Sequence, residues 1–475
     1  SIQAFNLIKG GADIIIIETC FDALNAKAAA FGVMQAMKQA EIRLPIIISA
    51  TLAEAGRTLS GMTLEAFTAA IAHIGPWAVS LNCGFGVDGM ISPLKSLQTL
   101  PCATGIYPNA GLPDEMGCYR ELPADMAEKI RRLGEKRLLN FVGGCCGTTP
   151  DHIRAIADAV SGCDPRAIPS MTPVLRLSGL EVLEVVPENN FLNVGERCNV
   201  AGSRKFLRLV KEGNIEATVA IAREQIESGA RVLDINLDDA MLDARAEMKK
   251  FVRALSSDPV TSAVPLMIDS SDFNVIIDAL TLLQGRAIVN SISLKEGEQP
   301  FIEKACLIKA YGAVPVVMAF DESGQATTLQ RRQEILSRAY DLLTSPHVGF
   351  HPWEIIFDPN ILAVATGIPE HDNLAADCLD SISWIKENMP GVKVSGGLSN
   401  LSFSFRGNNK VREAMHALFL NRAISLGMDM AIVNASSLPA VDEIPTELHE
   451  AIEDVLWRNP GHDASERLIA IASRI

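Results

Sequence analysis

The stretch Leu266-Met-Ile-Asp-Ser-Ser-Asp-Phe-Asn-Val-Ile-Ile-Asp-Ala-Leu-Thr-Leu-Leu-Gln-Gly-Arg-Ala-Ile-Val-Asn290 reads as one strand, a helix-length segment and a second strand, and both apolar runs end on a polar residue. The same unit recurs on either side of it. Phe191–Val194, Val232–Ile235, Leu266–Ile268, Ala287–Val289, Val314–Ala319, Ile355–Phe357, Val392–Val394 and Met430–Val433 are short and apolar, and helix-length segments separate them. Strands covered by helices on both faces are apolar throughout. Eight such strands predict a closed (β/α)8 barrel over residues 189–440.

The residues that follow these strands are polar: Glu196 and Arg197, Asp234 and Asn236, Asp269, Asn290, Asp321, Asp358 and Asn360, Ser395 to Asn400, and Asn434. Active sites of such barrels sit at the C-terminal strand ends, so the ring reads as a ligand pocket. Asp, Asn and Ser also cap helices and shape turns, which is the alternative for any single member. A whole ring of polar strand ends in succession favours the pocket.

The first half yields five strand candidates, Ile14–Ile17, Ile46–Ala50, Ala78–Leu81, Ala103–Ile106 and Leu139–Val142. Five units do not close a barrel, so residues 1–163 are expected to form a barrel truncated at its N-terminus, with exposed edges near Ile14 and Leu139. Residues 164–188 carry Pro165, Pro169, Pro173 and Pro187 without sustained periodicity and read as a linker. Residues 441–475 read as a short helical segment. The expected class is α/β, with two TIM-type barrels and this C-terminal addition.

Cys83, in Ser80-Leu-Asn-Cys-Gly84, and Cys145 and Cys146, in Phe141-Val-Gly-Gly-Cys-Cys-Gly-Thr-Thr-Pro150, each lie just past an apolar run. Three soft thiolates suit a zinc ion with one coordination position left open for a substrate sulfur. A buried structural cysteine or a disulfide between neighbouring cysteines is the alternative reading. Ten cysteines in 475 residues, with no charged-plus-apolar leader, favour a reducing, cytoplasmic setting. The eight histidines are dispersed and none is assigned to metal.

A net charge of −15 opposes nucleic acid as a general partner, because phosphate backbones attract positive surfaces. With 5% aromatic residues, stacking platforms for bases are scarce. No apolar run reaches membrane-spanning length.

Cys83 with Gly143-Gly-Cys-Cys-Gly147 resembles the homocysteine-binding module of the cobalamin-dependent methionine synthase family, a module shared with betaine–homocysteine methyltransferases. Asn193-Val-Gly-Glu-Arg-Cys-Asn-Val-Ala-Gly-Ser-Arg-Lys-Phe206, Ile268-Asp-Ser-Ser271, Val289-Asn-Ser-Ile-Ser293, Phe357-Asp-Pro-Asn360 and Ser395-Gly-Gly-Leu-Ser-Asn-Leu-Ser-Phe-Ser-Phe-Arg406 resemble that family's methyltetrahydrofolate module, in family order. The resemblance implies methyl transfer from 5-methyltetrahydrofolate to cobalamin and then to homocysteine, giving tetrahydrofolate and methionine.

The same resemblance implies zinc on Cys83, Cys145 and Cys146, and Glu18 as the carboxylate for the homocysteine ammonium group. It implies Asp269, Asn290 and Asp358 as pterin contacts and Asn400 as the catalytic amide near pterin N5. Gly202, Ser203, Arg204, Arg406 and Arg412 match further folate-site positions. The family's Asp-x-His-x-x-Gly cobalamin loop is missing, so cobalamin is expected on a separate module, and the cobalamin-binding and reactivation domains of the full-length protein are the expected partners. The truncated first barrel is expected to hold zinc and transfer to thiol weakly in isolation. A folate:corrinoid methyltransferase with another acceptor, and a folate- and zinc-binding fragment without turnover, are the competing readings.

Overall fold

In the computed structural model, which describes residues 1–53 and 55–475, the chain falls into two units. The first comprises residues 1–172, 178–182 and 310–312, and the second residues 173–177, 183–309 and 313–475.

The first unit holds β1 (Ile15–Cys20), β2 (Ile46–Ala50), β3 (Ala78–Asn82), β4 (Ala103–Tyr107) and β5 (Phe141–Val142), which pair in that order. Every pairing is parallel. All residues of β2 and β3 are buried, as expected of strands covered by helices. The first two intervening helices start on side-chain caps: Asp22 accepts from Asn25 N–H at 2.7 Å and Thr63 from Ala66 N–H at 3.2 Å. Arg166 ties the loop before β4 by donating to the carbonyls of Gln98, Leu100 and Cys102 at 2.7–3.0 Å.

The residues expected as a linker contain a hairpin, β6 (Leu175–Ser178) and β7 (Val182–Val185). Its alternation is only Leu175-x-Leu177 and Leu183-x-Val185, too brief to register against the surrounding prolines. These four side chains pack against the barrel of the second unit and plug its N-terminal end.

That barrel is built from β8 (Leu192–Asn199), β9 (Val232–Asn236), β10 (Leu266–Asp269), β11 (Ile288–Ile292) and β12 (Val314–Met318). A two-residue hairpin follows, β13 (Phe320–Asp321) with β14 (Gly324–Gln325), and then β15 (Ile356–Asp358), β16 (Lys393–Val394) and β17 (Met430–Val433) complete the ring. The sheet runs in sequence order, β17 pairs back onto β8, and a parallel bridge from Gly397 to Ile432 closes the circle. Asp429 secures this closure: its carboxylate accepts from Val394 N–H at 2.7 Å and its carbonyl from Leu192 N–H at 2.9 Å.

Val194, Val232, Met267, Ile288, Val316, Ile356 and Met430 share one interior cluster. Side chains alternate along a strand, so the residues two positions further on also face inward, at the C-terminal end of the barrel. Those residues are Glu196, Asp234, Asp269, Asn290, Met318, Asp358 and Ile432, and a further step along β9 and past β17 adds Asn236 and Asn434. The helices Thr446–Glu453 and His462–Ala472 belong to the second unit; Asn408 Nδ2 donates to Ala472 O at 2.8 Å. No described helix is long and apolar enough to cross a membrane.

Candidate functional site

In the first unit, β3 ends at Asn82 and the chain turns sharply, with Cys83 at φ +60° and Gly84 at +73°. A Cβ on Gly84 would lie 2.7 Å from the Leu52 carbonyl oxygen, so the turn takes glycine. Beyond β5 the chain runs against Tyr107, where a Cβ on Gly143 would meet the ring at 2.5 Å. Cys145 N–H then donates to Pro108 O at 2.8 Å and Ala110 N–H to Cys146 O at 2.9 Å. These turns gather three sulfurs: Cys83 Sγ lies 3.7 Å from Cys146 Sγ, Cys145 Sγ lies 3.9 Å from Cys146 Sγ, and all three fall within 4.8 Å.

None is in a disulfide. A zinc ion with tetrahedral bonds of about 2.3 Å sets its sulfur ligands roughly 3.8 Å apart, so the donors and their spacing fit that ion. Burial pushes the Cys83 thiol up, but Gly84 N–H, the two neighbouring thiols and the Asn109 side chain outweigh it and the net shift is down. Cys145 is pushed up to about 11, by burial first and then by the charges of Cys83 and Cys146, against a hydrogen bond from Asn82.

Asn82 and Asn109, which sequence reasoning did not single out, bracket the cluster. Asn82 Nδ2 lies 2.8 Å from Thr19 Oγ1 and 3.8 Å from Cys145 Sγ, and Asn109 Oδ1 accepts from Cys146 N–H at 3.1 Å. Tyr119 was missed too. Its ring fills the space a Cβ on Gly147 would take, and its hydroxyl, raised by burial and then by the Cys146 thiolate, sits beside Cys146. Glu18 stands exposed near the C-terminal end of β1, outside the sulfur group; its charge adds to the burial that raises the Tyr107 hydroxyl.

In the second unit a cavity of about 1100 Å³ opens at the C-terminal strand ends. Asp269, Asn290, Asp358, Asn400, Gly202, Arg204, Arg406 and Arg412 all line it. Ser203 does not: it is buried, and its hydroxyl caps the helix Arg204–Lys211 by accepting from Phe206 N–H at 3.2 Å. From the polar ring, Asn236, Asp321, Asn360 and Ser395 also fall outside the cavity lining. Asp321 pairs with Arg331 at 2.6 Å, and Asn360, at φ +64°, donates from Nδ2 to Ala319 O at 2.6 Å.

The floor is acidic and buried. Burial raises Asp269 to about 7, against a hydrogen bond from Asn236 and with the charge of Asp238 adding to the rise. Burial raises Asp358 to about 6, against Asn360 N–H and the Arg332 guanidinium. Asp234 is pushed well up, by burial and then by Asp269; the Asn199 and Asn290 amides face it, yet neither of its oxygens has a hydrogen-bond partner of ordinary geometry among the described residues. Such carboxyls are ready to accept from a ligand's N–H groups.

Buried supports fix the loops. Arg332, wholly buried, donates to Pro359 O at 2.6 Å and to Asn360 O at 3.3 Å, which sets the turn after Asp358. Asp238 accepts from Ser270 Oγ at 2.7 Å and from Ser271 N–H at 2.7 Å, which sets the turn after Asp269. Asn199, Asp238 and His416 complete the surroundings and were not anticipated. Strand length could have indicated Asn199, since β8 runs beyond Val194 through an irregularity between Gly195 and Cys198.

Comparison with known proteins agrees with this division. Residues 1–160 match the homocysteine S-methyltransferase family, and residues 195–434 match the pterin binding enzyme family. Similar solved structures include a Xanthomonas albilineans dihydropteroate synthase in complex with 7,8-dihydropteroate, at 17% identity and TM-score 0.40, covering 57% of this chain and 100% of that one. The dihydropteroate synthases of Stenotrophomonas maltophilia (18% identity, TM-score 0.39, 56% and 97% coverage) and Vibrio fischeri (15%, 0.41, 60% and 99%) are others. The chain belongs to the pterin binding enzyme family.

Proposed function

We propose that the chain is a methyltransferase that moves a methyl group from 5-methyltetrahydrofolate, by way of a cobalamin carrier supplied to it, to zinc-activated homocysteine. The observation that carries this reading is the convergence of Asp269, Asn290, Asp358 and Asn400 on one cavity within the segment that matches the pterin-binding family. The match of residues 1–160 supports homocysteine as the acceptor.

A pterin edge presents amine, amide and carbonyl groups. Asp269 and Asp358 accept its N–H groups, and Asn290, with both donor and acceptor atoms, pairs its carbonyl side. The leaving ring nitrogen must gain a proton before the methyl group departs, and Asn400 accepts from that protonated nitrogen through Oδ1. Arg204 and Arg406 meet the anionic remainder of the folate at the cavity mouth.

Cys83, Cys145 and Cys146 would hold a zinc ion, which would supply the Lewis acidity that lets an incoming thiol bind as a thiolate at neutral pH. Glu18 pairs with the homocysteine ammonium group.

Binding is testable by calorimetry. Asp269 and Asp358, raised to about 7 and about 6, are partly protonated near pH 6.5 and become ionised when ligand N–H groups approach. Methyltetrahydrofolate binding at pH 6.5 is therefore expected to release protons, read as a heat that varies with buffer ionisation enthalpy. Buffer-independent heat with intact binding would contradict the assigned acceptors, and no binding would remove the reading.

A further inference from the structure

Asn400 stands on a turn, not on a strand, and the means by which that turn is held has a definite chemistry. Leu398–Asn400 and Phe403–Phe405 are single helical turns between β16 and the helix Asn409–Ser425. Arg412 and His416 lie four residues apart on that helix and so share a face. Arg412 Nε donates to Ser402 Oγ at 3.0 Å, and its Nη2 reaches Ser399 O at 3.5 Å. A guanidinium has donors only, so Ser402 Oγ accepts in that bond, and His416 Nε2, 2.7 Å away, is the other hydrogen-bond partner of its hydroxyl among the described residues.

Giving the buried Ser402 proton its acceptor assigns the lone pair to His416 Nε2 and the hydrogen to Nδ1. Ser402 is wholly buried and His416 nearly so. On the other side of Asn400, Ser399 Oγ donates to Glu196 Oε2 at 2.7 Å. Residues flanking Asn400 on both sides are thus pinned, while Gly397 leaves room for its amide, with Asn400 Nδ2 3.3 Å from where a Cβ would sit.

We propose that Ser402 and His416 are positioning residues for Asn400, acting through Arg412 to set the rate of methyl transfer, while pterin affinity is set mainly by Asp269, Asn290 and Asp358. This rests on the reading of the cavity as a methyltetrahydrofolate site. Asp269, Asn290 and Asp358 hang from β10, β11 and β15 and do not depend on the turn, so affinity and rate separate. A misplacement of about 1 Å at a reacting group costs roughly 100-fold in rate.

The test compares Ser402→Ala, His416→Leu and His416→Gln in the full chain. The Gln variant retains an acceptor for the Ser402 proton. Affinity for methyltetrahydrofolate is measured by calorimetry, and transfer by single turnover to supplied cob(I)alamin. Ser402→Ala and His416→Leu are expected to slow transfer on the order of 100-fold, with the dissociation constant within about 3-fold of the parent and His416→Gln recovering most of the rate. Parallel loss of affinity and rate, an unchanged rate, or failure of His416→Gln alongside His416→Leu would overturn the proposal.

Should the parent chain neither bind the folate nor transfer a methyl group, the function proposed above fails. The relay is then judged by two other readouts: the nitrogen NMR spectrum, where a neutral His416 with hydrogen on Nδ1 is expected, and a crystal structure of Ser402→Ala. The opposite tautomer, or an Asn400 that does not move, overturns it.

Discussion

Replacing Asp269 by asparagine separates what the cavity floor does for the fold from what it does for a ligand. Asp269 is raised to about 7 from an ordinary 3.8 because burial outweighs the hydrogen bond from Asn236. Below pH 3.8 both folded and unfolded chains hold the proton, so the residue has no pH-dependent effect. As pH rises toward 7 the unfolded chain ionises while the folded chain does not, and stability falls across that window. At 1.36 kcal/mol for each pH unit, the cost above pH 7 is on the order of 4 kcal/mol.

The carboxamide introduced by Asp269→Asn fills the same space, can still pair with Asn236, and never ionises. The variant is therefore expected to match the parent near pH 4 and to exceed it increasingly up to pH 8, by roughly 2–4 kcal/mol in denaturant unfolding of the second unit. His416 works in the opposite sense, because burial and then the Arg412 charge lower it to about 4 and its contribution is lost as pH falls below 6.5; comparison at equal pH cancels it. The same substitution removes a carboxylate acceptor and should weaken methyltetrahydrofolate binding at least about 10-fold, since a hydrogen bond to a charged group contributes about 1.5–3 kcal/mol. A variant that is less stable than the parent at pH 8, or whose advantage does not grow with pH, would refute the reasoning.

Other consequences can be measured directly. The chain with all three thiols is expected to bind one equivalent of zinc, and Cys145→Ser to lose most of it in a chromogenic chelator assay; a parent chain without zinc affinity would favour the expectation of a weakened first site over the preassembled sulfurs. Arg332→Met leaves the Pro359 and Asn360 carbonyls without their buried donor, and unfolding should become easier by about 3 kcal/mol, with pterin affinity falling because Asp358 loses its support. Unchanged affinity would mean that the turn after Asp358 holds itself.

Much of this was legible in the chain itself. Short apolar runs ending on Asp, Asn or Glu announced eight parallel strands and the ring they deliver, because strand alternation makes an apolar interior residue predict the inward direction of the residue two places on. The three cysteines were equally legible, each at a strand end. Less legible was whatever depends on contacts across the sequence. Ser203 matched a motif yet caps a helix; Asp321 and Asn360 follow strands yet bind Arg331 and Ala319 O. Arg412 matched a folate position and does line the cavity, while two of its nitrogens hold the Asn400 turn. His416, Asn109 and Tyr119 carry no motif, and only folding brings them to the sites. The hairpin β6–β7 escaped because two alternating pairs of apolar residues are too few to stand out among prolines.

The central claim is methyl transfer from the cavity of the second unit, and single turnover tests it most directly. The chain is mixed with 5-methyltetrahydrofolate and supplied cob(I)alamin, and the absorbance change to methylcobalamin is followed for the parent, Asp269→Ala and Asn400→Ala. Transfer by the parent is expected, slowed in Asn400→Ala with binding retained and lost in Asp269→Ala through failed binding. No transfer by a parent chain saturated with folate, or undiminished transfer in both variants, would contradict it.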